Sequence, residues 1–342
     1  YDYLILAMGA SQVWERSSGE LEPRLLSSKT VKAAQASLDK LRDAQSIALI
    51  GGGQIGLESL EALSQLPLKL SLFEAQDSLL AKYFDREMTE TLRLELEEAG
   101  LDLYLSETVN DIRFSASDQK VKLESIHGQY EADYLLIGTN FKPNSALFEG
   151  VLELNADGTI WVDAFLQTSQ EAVFAVGDLI PLPYAFLGKA YLPMINHAIL
   201  TGRLVAQNLV ERKRPLKEVN RIISSHLFGY YLTSVGLTEA EAELRQEIRT
   251  IRLQRPFSDW DERLVDFKLV LAKESGRILG GQLVSKSQHL EQMDSLALAL
   301  SQGLCLQDFL DQTWLCLPRS RHLVPLLVEA ANLYQRQLHA ED

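Results

Sequence analysis

The sequence predicts a mixed α/β protein with two α/β domains of similar architecture, the first incomplete, and a third module of α+β type. Three observations lead to this fold class. Strand and helix patterns alternate over residues 46–105, which is typical of a parallel sheet with crossover helices. A strand beginning Asp-Tyr-Leu occurs twice. Beyond about residue 220 the pattern changes to strands followed by helices.

The alternating region follows from apolar residues that recur at helical spacing or form short continuous runs between turn signals. The expected elements are a helix over 31–42, a strand over 46–50, a helix over 55–66, a strand over 68–73, a helix over about 85–99, a strand over about 101–105 and antiparallel strands over 109–136.

The repeated strand reads DYLILA at residues 2–7 and DYLLIG at residues 133–138, and the copies lie 133 − 2 = 131 residues apart. Two domains of similar architecture, one inserted beside the other, explain this repeat if each copy is the strand that leaves its own domain. Only the second copy follows a βαβ unit in this sequence, and the chain opens without Met in an apolar strand. We therefore expect a missing segment before Tyr1.

The remaining elements continue this pattern up to a basic, proline-bearing boundary at 213–217 and then change character. They are a strand over 172–178 ending in Gly-Asp, a helix over 194–211, strands over 224–235 and 266–271, a hairpin at 274–277, a strand over 278–285 and helices over about 288–303 and 320–338.

Composition excludes several classes of protein. The 342 residues include 33 Lys+Arg and 47 Asp+Glu, a net charge of −14, and 46% are hydrophobic, which excludes disorder and collagen-like repeats. The negative charge argues against nucleic acid or an anionic membrane as a partner. No apolar run approaches the length of a membrane span, and we expect no secretory leader. Two cysteines, Cys305 and Cys316, exclude a disulfide scaffold and predict a reducing, cytoplasmic location.

A Gly51-x-Gly53-x-x-Gly56 motif stands between a predicted strand and a predicted helix, the context that a dinucleotide-binding fingerprint requires. The first glycine allows a tight turn, the second lets the backbone approach a pyrophosphate, and the third lets helix and strand pack closely. The helix N-terminus adds N–H groups and partial positive charge. The motif, with Gln54 and Ile55 inside it, predicts a dinucleotide site. The alternative is a glycine-rich turn that binds nothing.

Glu74 ends the second strand, 74 − 56 = 18 residues after Gly56. A carboxylate at this position can accept hydrogen bonds from the adenosine ribose, and it would repel a 2′-phosphate. No Arg stands beside Glu74. The sequence therefore favours NAD(H) over NADP(H).

Glu58 lies two residues past Gly56, in what the sequence predicts to be the first turn of the helix. One interpretation is a carboxylate that the helix dipole favours. The other is a functional group near the nicotinamide ring. Position alone favours the first interpretation.

Several segments together resemble the FAD-dependent pyridine nucleotide–disulfide oxidoreductases, and in particular the branch of NADH oxidase, NADH peroxidase and coenzyme A-disulfide reductase. The resemblance covers the whole chain in the family's order. The segments are 51–58 (GGGQIGLE), 80–85 (LAKYFD), 175–178 (AVGD), 235–239 (VGLTE), 278–283 (ILGGQL) and 295–299 (SLALA).

The resemblance implies two Rossmann-like, FAD/NAD-linked nucleotide-binding domains, the first incomplete, and a C-terminal α+β dimerisation domain. Residues 1–30 and 146–215 would belong to the FAD-binding domain, 31–145 to the NAD(H)-binding domain and 220–342 to the dimerisation domain. It also implies that the FAD pyrophosphate glycines and a redox cysteine lie before Tyr1. The two cysteines present match no redox cysteine of the family and are interpreted as buried structural thiols.

Position by position, the resemblance places further residues at FAD. Asp178 matches an aspartate that binds the ribityl chain, and the helix beginning near Met194 is aimed at the flavin pyrimidine, where its N-terminus stabilises negative charge. Glu58 matches a residue near the nicotinamide, and His197 is interpreted as a packing or solvent-facing residue rather than a catalytic one. The predicted FAD-binding residues are Gly9, Ala10, Gly177, Asp178, Met194 and Ile195.

Three residues depart from the family pattern and put peroxide or disulfide chemistry in doubt more than NADH binding. Gln54 replaces a Tyr that covers the flavin, Asn140 replaces a Gly at the exit strand, and Leu317 replaces a polar residue that the partner subunit brings to the active cysteine. Asn tolerates a positive φ, so the turn at 140 can survive.

The resemblance implies a homodimeric flavoprotein oxidoreductase that passes a hydride from NADH to FAD and then electrons to O₂, peroxide or a low-molecular-weight disulfide. It predicts no metal. Two alternatives stay open. One is a ferredoxin or rubredoxin reductase, which needs no redox cysteine but is disfavoured by the C-terminal sequence. The other is a non-catalytic dinucleotide-binding relative or a fragment that cannot hold FAD.

Overall fold

The structure, a computed structural model, describes residues 2–13, 17–18, 21–115, 117, 119–139, 141–258, 261–288, 290–314 and 324–341. The chain forms two compact units. Unit 1 comprises Tyr1–Glu15 and Asn140–Asn220, and unit 2 comprises Arg16–Thr139 and Arg221–Asp342. The assignment of these segments to FAD, NAD(H) and dimerisation domains stays a prediction.

The described residues form strands and helices that are numbered here in chain order. The strands are β1 (Leu4–Leu6), β2 (Ala10–Gln12), β3 (Ser17–Ser18), β4 (Leu25–Leu26), β5 (Ser46–Ile50), β6 (Lys69–Phe73), β7 (Asp102–Tyr104), β8 (Val109–Ser115), β9 (Lys120–Ser125), β10 (Gln129–Ala132), β11 (Tyr134–Ile137), β12 (Phe141–Pro143), β13 (Val173–Ala175), β14 (Leu182–Tyr184), β15 (Gly188–Ala190), β16 (Ile222–Leu227), β17 (Tyr230–Gly236), β18 (Ile248–Ser258), β19 (Asp261–Ala272) and β20 (Ile278–Ser285). The helices are α1 (Val31–Leu41), α2 (Gln54–Ser64), α3 (Arg86–Glu98), α4 (Ile195–Val210), α5 (Glu239–Glu243), α6 (Leu290–Ser301) and α7 (Leu326–Glu341).

Unit 1 brings the first strand of the chain beside a strand from its middle. β1 pairs in parallel with β13, with Leu6 opposite Ala175, and β2 pairs antiparallel with β12. A buried apolar cluster that includes Phe174, Leu204 and Val205 packs the strands against α4. The carboxyl ends of β1 and β13 therefore lie at one edge, with α4 packed beneath them.

Unit 2 contains the predicted parallel sheet, in the order β4-β11-β5-β6-β7. From β5 the chain proceeds through α2 to β6 and through α3 to β7, whereas β11 returns on the other side of β5. The strand order thus reverses between β11 and β5, and ligands of open α/β sheets bind outside the carboxyl ends of strands at such a point. The α/β fold class predicted from the alternating pattern is confirmed.

An antiparallel meander of β8, β9 and β10 follows this sheet, and β11 then joins the parallel sheet. The prediction of antiparallel strands over 109–136 is therefore right for the meander and wrong for β11. Asp133 fixes the entry to β11, since its Oδ2 accepts hydrogen bonds from the backbone N–H of Gln45 and of Ser46, both at 2.9 Å. Burial opposes ionisation of this carboxyl, but these bonds and Lys120 outweigh it and lower the pKa of Asp133 to about 2.

The C-terminal part of unit 2 is an antiparallel sheet in the order β16-β17-β20-β19-β18, with α6 packed against β17 and β20 and α7 against β18. This is the predicted α+β module. The single strand predicted over 224–235 is wrong, because β16 and β17 form a hairpin there. Its turn is made by Phe228 and Gly229, with φ of 50° and 79°, the positive values that a tight two-residue hairpin requires.

The sequence reading missed β18, an eleven-residue strand. It contains Pro256, which argues against a central strand because it cannot donate to the ladder. β18 tolerates this residue because it lies at the edge of the sheet, and the register with β19 shifts between Pro256 and Ser258.

Helices of the parallel sheet pack against the antiparallel sheet within unit 2, and a buried cation joins them. The ammonium of Lys268 on β19 is 3% exposed and lies 2.8 Å from Asp85, at the start of α3, and 2.5 Å from Glu239, and it also contacts Glu87. Gln282 donates to Asp85 at 2.7 Å and accepts from its backbone N–H at 2.8 Å. The hydrogen bonds and these carboxylates outweigh burial and raise the pKa of Lys268.

In the described part of the chain, no helix combines the length and the apolar character that a crossing of the bilayer requires.

Candidate functional site

The glycine fingerprint forms a tight turn between β5 and α2. Gly51 has a φ of +103°, and a Cβ there would lie 2.3 Å from Thr139 Cγ2; a Cβ on Gly56 would lie 1.8 Å from the Gly51 carbonyl oxygen. Gly138 is equally confined, since its Cβ would lie 2.9 Å from the backbone N of Gly56. The close approach of β5, α2 and β11 therefore requires glycine at all three positions.

Gly53 differs from these neighbours. It is the N-cap residue of α2, with no side-chain hydrogen bond to the first turn. A Cβ added to it would meet no atom within 4 Å. No contact within the described part of the chain thus explains this glycine. The space beside it borders the N-terminus of α2, where the N-cap residue supplies no side-chain hydrogen bond. This arrangement suits a pyrophosphate.

Glu74 lies where the sequence predicts it, directly after β6, and reaches back to the fingerprint. Its Oε2 accepts a hydrogen bond from the backbone N–H of Gly52 at 2.6 Å, and its Oε1 accepts one from Gln76 at 2.8 Å. Each carboxylate oxygen has a second lone pair, so the predicted ribose contact stays possible. Sequence reasoning missed Gly52, whose Cβ would lie 3.2 Å from the Glu74 carboxylate.

Glu58 lies on the second turn of α2, because the helix begins at Gln54. The expected place on the first turn is therefore wrong, and a dipole contribution is weaker there since it falls off within the first turn. The Nε2 of Gln54 donates to Glu58 Oε1 at 2.9 Å, and Ile55 between them is 40% exposed. The three residues share an accessible part of the helix near its N-terminus.

In unit 1 the predicted FAD residues meet at the carboxyl ends of β1 and β13. Gly9 follows β1 with a φ of +67°, and Gly177 follows β13 with a φ of +63°. A Cβ on Gly9 would lie 4.0 Å from Asp178 Oδ2, so the two residues are neighbours. Ala10 is buried and begins β2 opposite Pro143. The carboxylate of Asp178 thus lies beside Gly9, whose backbone carries no side chain.

Helix α4 approaches the same edge. Met194 is its N-cap residue and supplies no side-chain cap, while in the first turn Asn196 Oδ1 accepts a hydrogen bond from the His197 N–H at 2.9 Å. The Oγ1 of Thr201 accepts a hydrogen bond from the Gly177 N–H at 3.0 Å, and a Cβ on Gly177 would lie 3.3 Å from Ala198 Cβ. These contacts fix the helix against the Gly177–Asp178 turn. Ile195, its first residue, is 83% exposed.

Of the two positions that the sequence leaves open for His197, packing or solvent, the structure shows packing. Its ring is buried, its Nδ1 lies 2.8 Å from the Tyr184 hydroxyl, and burial lowers its pKa. The imidazole is therefore neutral at pH 7 and serves as a hydrogen-bonding core residue.

Among the described residues Cys305 is the one cysteine, and it is half-buried rather than fully buried as predicted. It precedes a short 3₁₀ helix, and its backbone N–H donates to Asp308 at 2.8 Å. The place of Cys305 at the start of this helix fits a structural role. Cys316, Asn140 and Leu317 lie outside the described residues.

Comparisons with known proteins cover nearly the whole chain. A family described as "Pyridine nucleotide-disulphide oxidoreductase" matches residues 1–202, and that family's dimerisation domain matches residues 224–324. NADH oxidase from Enterococcus faecalis is 29% identical over 314 residues, which are 90% of this chain and 70% of the relative.

Two solved structures are similar to the whole fold. A pyridine nucleotide-disulfide family oxidoreductase from Enterococcus faecalis is 32% identical with a TM-score of 0.89, over 99% of this chain and 79% of that one. The water-forming NADH oxidase from Lactobacillus brevis bound to NADH is 25% identical with a TM-score of 0.92, over 100% of this chain and 76% of that one.

Proposed function

Because the chain belongs to the pyridine nucleotide-disulphide oxidoreductase family and is an oxidoreductase, we propose that it uses NADH and FAD to reduce a small acceptor. The observation that carries the NADH assignment is the turn at Gly53, where space and uncapped helix N–H groups coincide. The similarity to NADH oxidases supports O₂ as the acceptor. Peroxide and a low-molecular-weight disulfide are the alternatives.

The residues present fit FAD. At the Gly9–Asp178 edge a carboxylate can accept from sugar hydroxyls, two glycines leave the backbone accessible, and the N-terminus of α4, where Met194 supplies no side-chain cap, can stabilise negative charge. When bound, FAD supplies the two-electron chemistry between NADH and the acceptor. The residues of the chain bind and orient: Gly177, Asp178 and the start of α4 would hold the flavin, while Gly53 and Glu74 would hold NADH.

Glu58 is the proposed residue near the nicotinamide. Its carboxylate is held by the Gln54 amide at 2.9 Å, and such a carboxylate can accept from the nicotinamide carboxamide. Its role is to orient the ring. The Gln54 side chain also ends in a carboxamide, and it occupies Glu58 Oε1. A nicotinamide carboxamide can donate to that oxygen only when Gln54 releases it.

We also propose a homodimer formed by the C-terminal module. The match of residues 224–324 to the family's dimerisation domain supports it, as do the exposed apolar side chains Leu264 and Leu298, 63% and 64% exposed. The same match favours this branch over an electron-carrier reductase. The cytoplasmic location stays a prediction from the cysteine content.

The preference for NADH should depend on the charge of Glu74. Glu74→Gln removes the carboxylate that favours a ribose diol and repels a 2′-phosphate, so we expect the ratio of NADPH to NADH dissociation constants to fall by about tenfold, or ~1.4 kcal/mol. Quenching of protein fluorescence by each nucleotide measures it.

Asp77→Asn is the matched control. Asp77 is 61% exposed, pairs with Arg86, and lies three residues along the same loop. The Asp77→Asn substitution removes an equal charge without touching the fingerprint backbone. The ratio of the NADPH to the NADH dissociation constant should therefore stay within about twofold of the wild-type value. An unchanged ratio in Glu74→Gln would show that Glu74 does not contact the ribose.

A further inference from the structure

Tyr191 carries a buried hydroxyl that the site described above does not use. The residue follows β15 in unit 1, and its hydroxyl oxygen is buried without a hydrogen-bond partner among the described residues. Buried tyrosine hydroxyls usually have a partner, and an orphan calls for a water, an ion or a ligand group.

The hairpin of β14 and β15 places Tyr191 close to the predicted FAD residues. Ala190 pairs with Leu182, so the next residue, Tyr191, comes beside the segment that leaves the 3₁₀ helix at Gly177–Leu179. Three residues further, Met194 caps α4. The backbone of Tyr191 therefore lies beside the segment that follows the Gly177–Asp178 turn and three residues before the start of α4.

The surrounding charge limits what the hydroxyl can bind. Burial, and then the carboxylates of Asp178 and Asp157, raise the pKa of Tyr191, so the phenol keeps its proton and is a hydrogen-bond donor at pH 7. Two nearby carboxylates repel a phosphate group but accept hydrogen bonds from a polyol. A sugar-alcohol chain offers both the acceptor that Tyr191 lacks and the donors that a carboxylate needs.

We propose that the Tyr191 hydroxyl donates a hydrogen bond to the ribityl chain of FAD, next to Asp178, and so acts as a binding residue of the flavin site. The proposal rests on the proposed use of FAD. In this assignment Asp178 and Tyr191 line the part of the site that binds the sugar chain of the flavin, and any phosphate-binding part lies elsewhere.

The test compares Tyr191→Phe with Tyr184→Phe in two measurements, thermal unfolding of the FAD-free protein and the dissociation constant for FAD. Tyr184 is the matched control, since its hydroxyl is already bonded to His197 at 2.8 Å. Losing an orphaned donor should leave the melting temperature of Tyr191→Phe unchanged or raised, and FAD binding should weaken about 3- to 10-fold. Tyr184→Phe should show the reverse, a lowered melting temperature and unchanged FAD binding.

Each other outcome contradicts a different statement. If Tyr191→Phe binds FAD as tightly as wild type does, the hydroxyl does not contact the cofactor, while the proposed use of FAD stands. If Tyr191→Phe melts as low as Tyr184→Phe, the hydroxyl is bonded within the protein, and the proposal is wrong. If the wild-type protein binds no FAD, the proposed function fails and this assignment fails with it.

Discussion

Replacing Gly56 with alanine is expected to destabilise unit 2 and to abolish NADH binding. The new Cβ would lie 1.8 Å from the Gly51 carbonyl oxygen, and because both partners are backbone, β5 and α2 must move apart. Overpacking of this kind costs about 1–3 kcal/mol. A lowered denaturation midpoint, measured by circular dichroism, and a loss of NADH-dependent fluorescence quenching would report the two effects.

Gly53→Ala should separate ligand binding from folding. Nothing lies within 4 Å of a Cβ at this position, and its φ of −79° suits any residue. We therefore expect a smaller change in stability than in Gly56→Ala, together with NADH binding at least about tenfold weaker because the methyl group takes the space of the pyrophosphate.

Gly202→Ala on α4 is the control for adding a methyl group into open space, since nothing lies within 4 Å of its Cβ either. It should leave NADH binding unchanged and stabilise the helix by up to about 1 kcal/mol. Unaltered NADH binding in Gly53→Ala would place the nucleotide elsewhere and contradict the assignment of the fingerprint turn.

Lys268→Met is expected to cause the largest loss of stability from a single side chain at the junction of the two sheets. Its removal leaves the carboxylates of Asp85, Glu87 and Glu239, which lie within 4.8 Å of one another, without their buried cation. Breaking a buried ion pair from one side costs about 3–5 kcal/mol. Urea denaturation monitored by tryptophan fluorescence measures this change.

Lys286→Met offers the matched comparison at the same junction. Lys286 joins the antiparallel sheet to Glu95 on α3 at 2.8 Å, but the two side chains are 43% and 41% exposed. Exposed pairs contribute about 0–1 kcal/mol, so this variant should unfold close to the wild-type midpoint. Equal losses in both variants would mean that burial of Lys268 adds nothing to its contribution.

The NAD-type turn was predictable because its determinants are local in the sequence. The spacing of Gly51, Gly53 and Gly56 follows from the geometry of one strand, one turn and one helix. The place of Asp178 directly after an apolar strand is also local in the sequence, whereas its role at the ribityl chain came from the family resemblance and stays a prediction. The strand at 278–285 was also correct to the residue, since all eight of its residues are buried.

What could not be predicted depends on segments that meet only in the folded chain. The Gly52–Glu74 hydrogen bond joins residues 22 apart, and the need for glycine at Gly138 comes from its contact with Gly56. Tyr191 carries no sequence signal, because its orphaned hydroxyl is defined by surrounding burial. The carboxylates around Lys268 come from the start of α3 and from α5, so charge patterning along the sequence does not reveal them.

Anaerobic titration of the purified, FAD-incubated protein with NADH tests the proposed function most directly. The protein should retain a visible flavin absorption band after removal of free FAD. One equivalent of NADH per flavin should bleach that band, and admission of O₂ should restore it if O₂ is the acceptor. A protein that binds NADH but retains no flavin, or whose flavin band NADH leaves unchanged, would contradict the assignment as an NADH-dependent flavoprotein oxidoreductase.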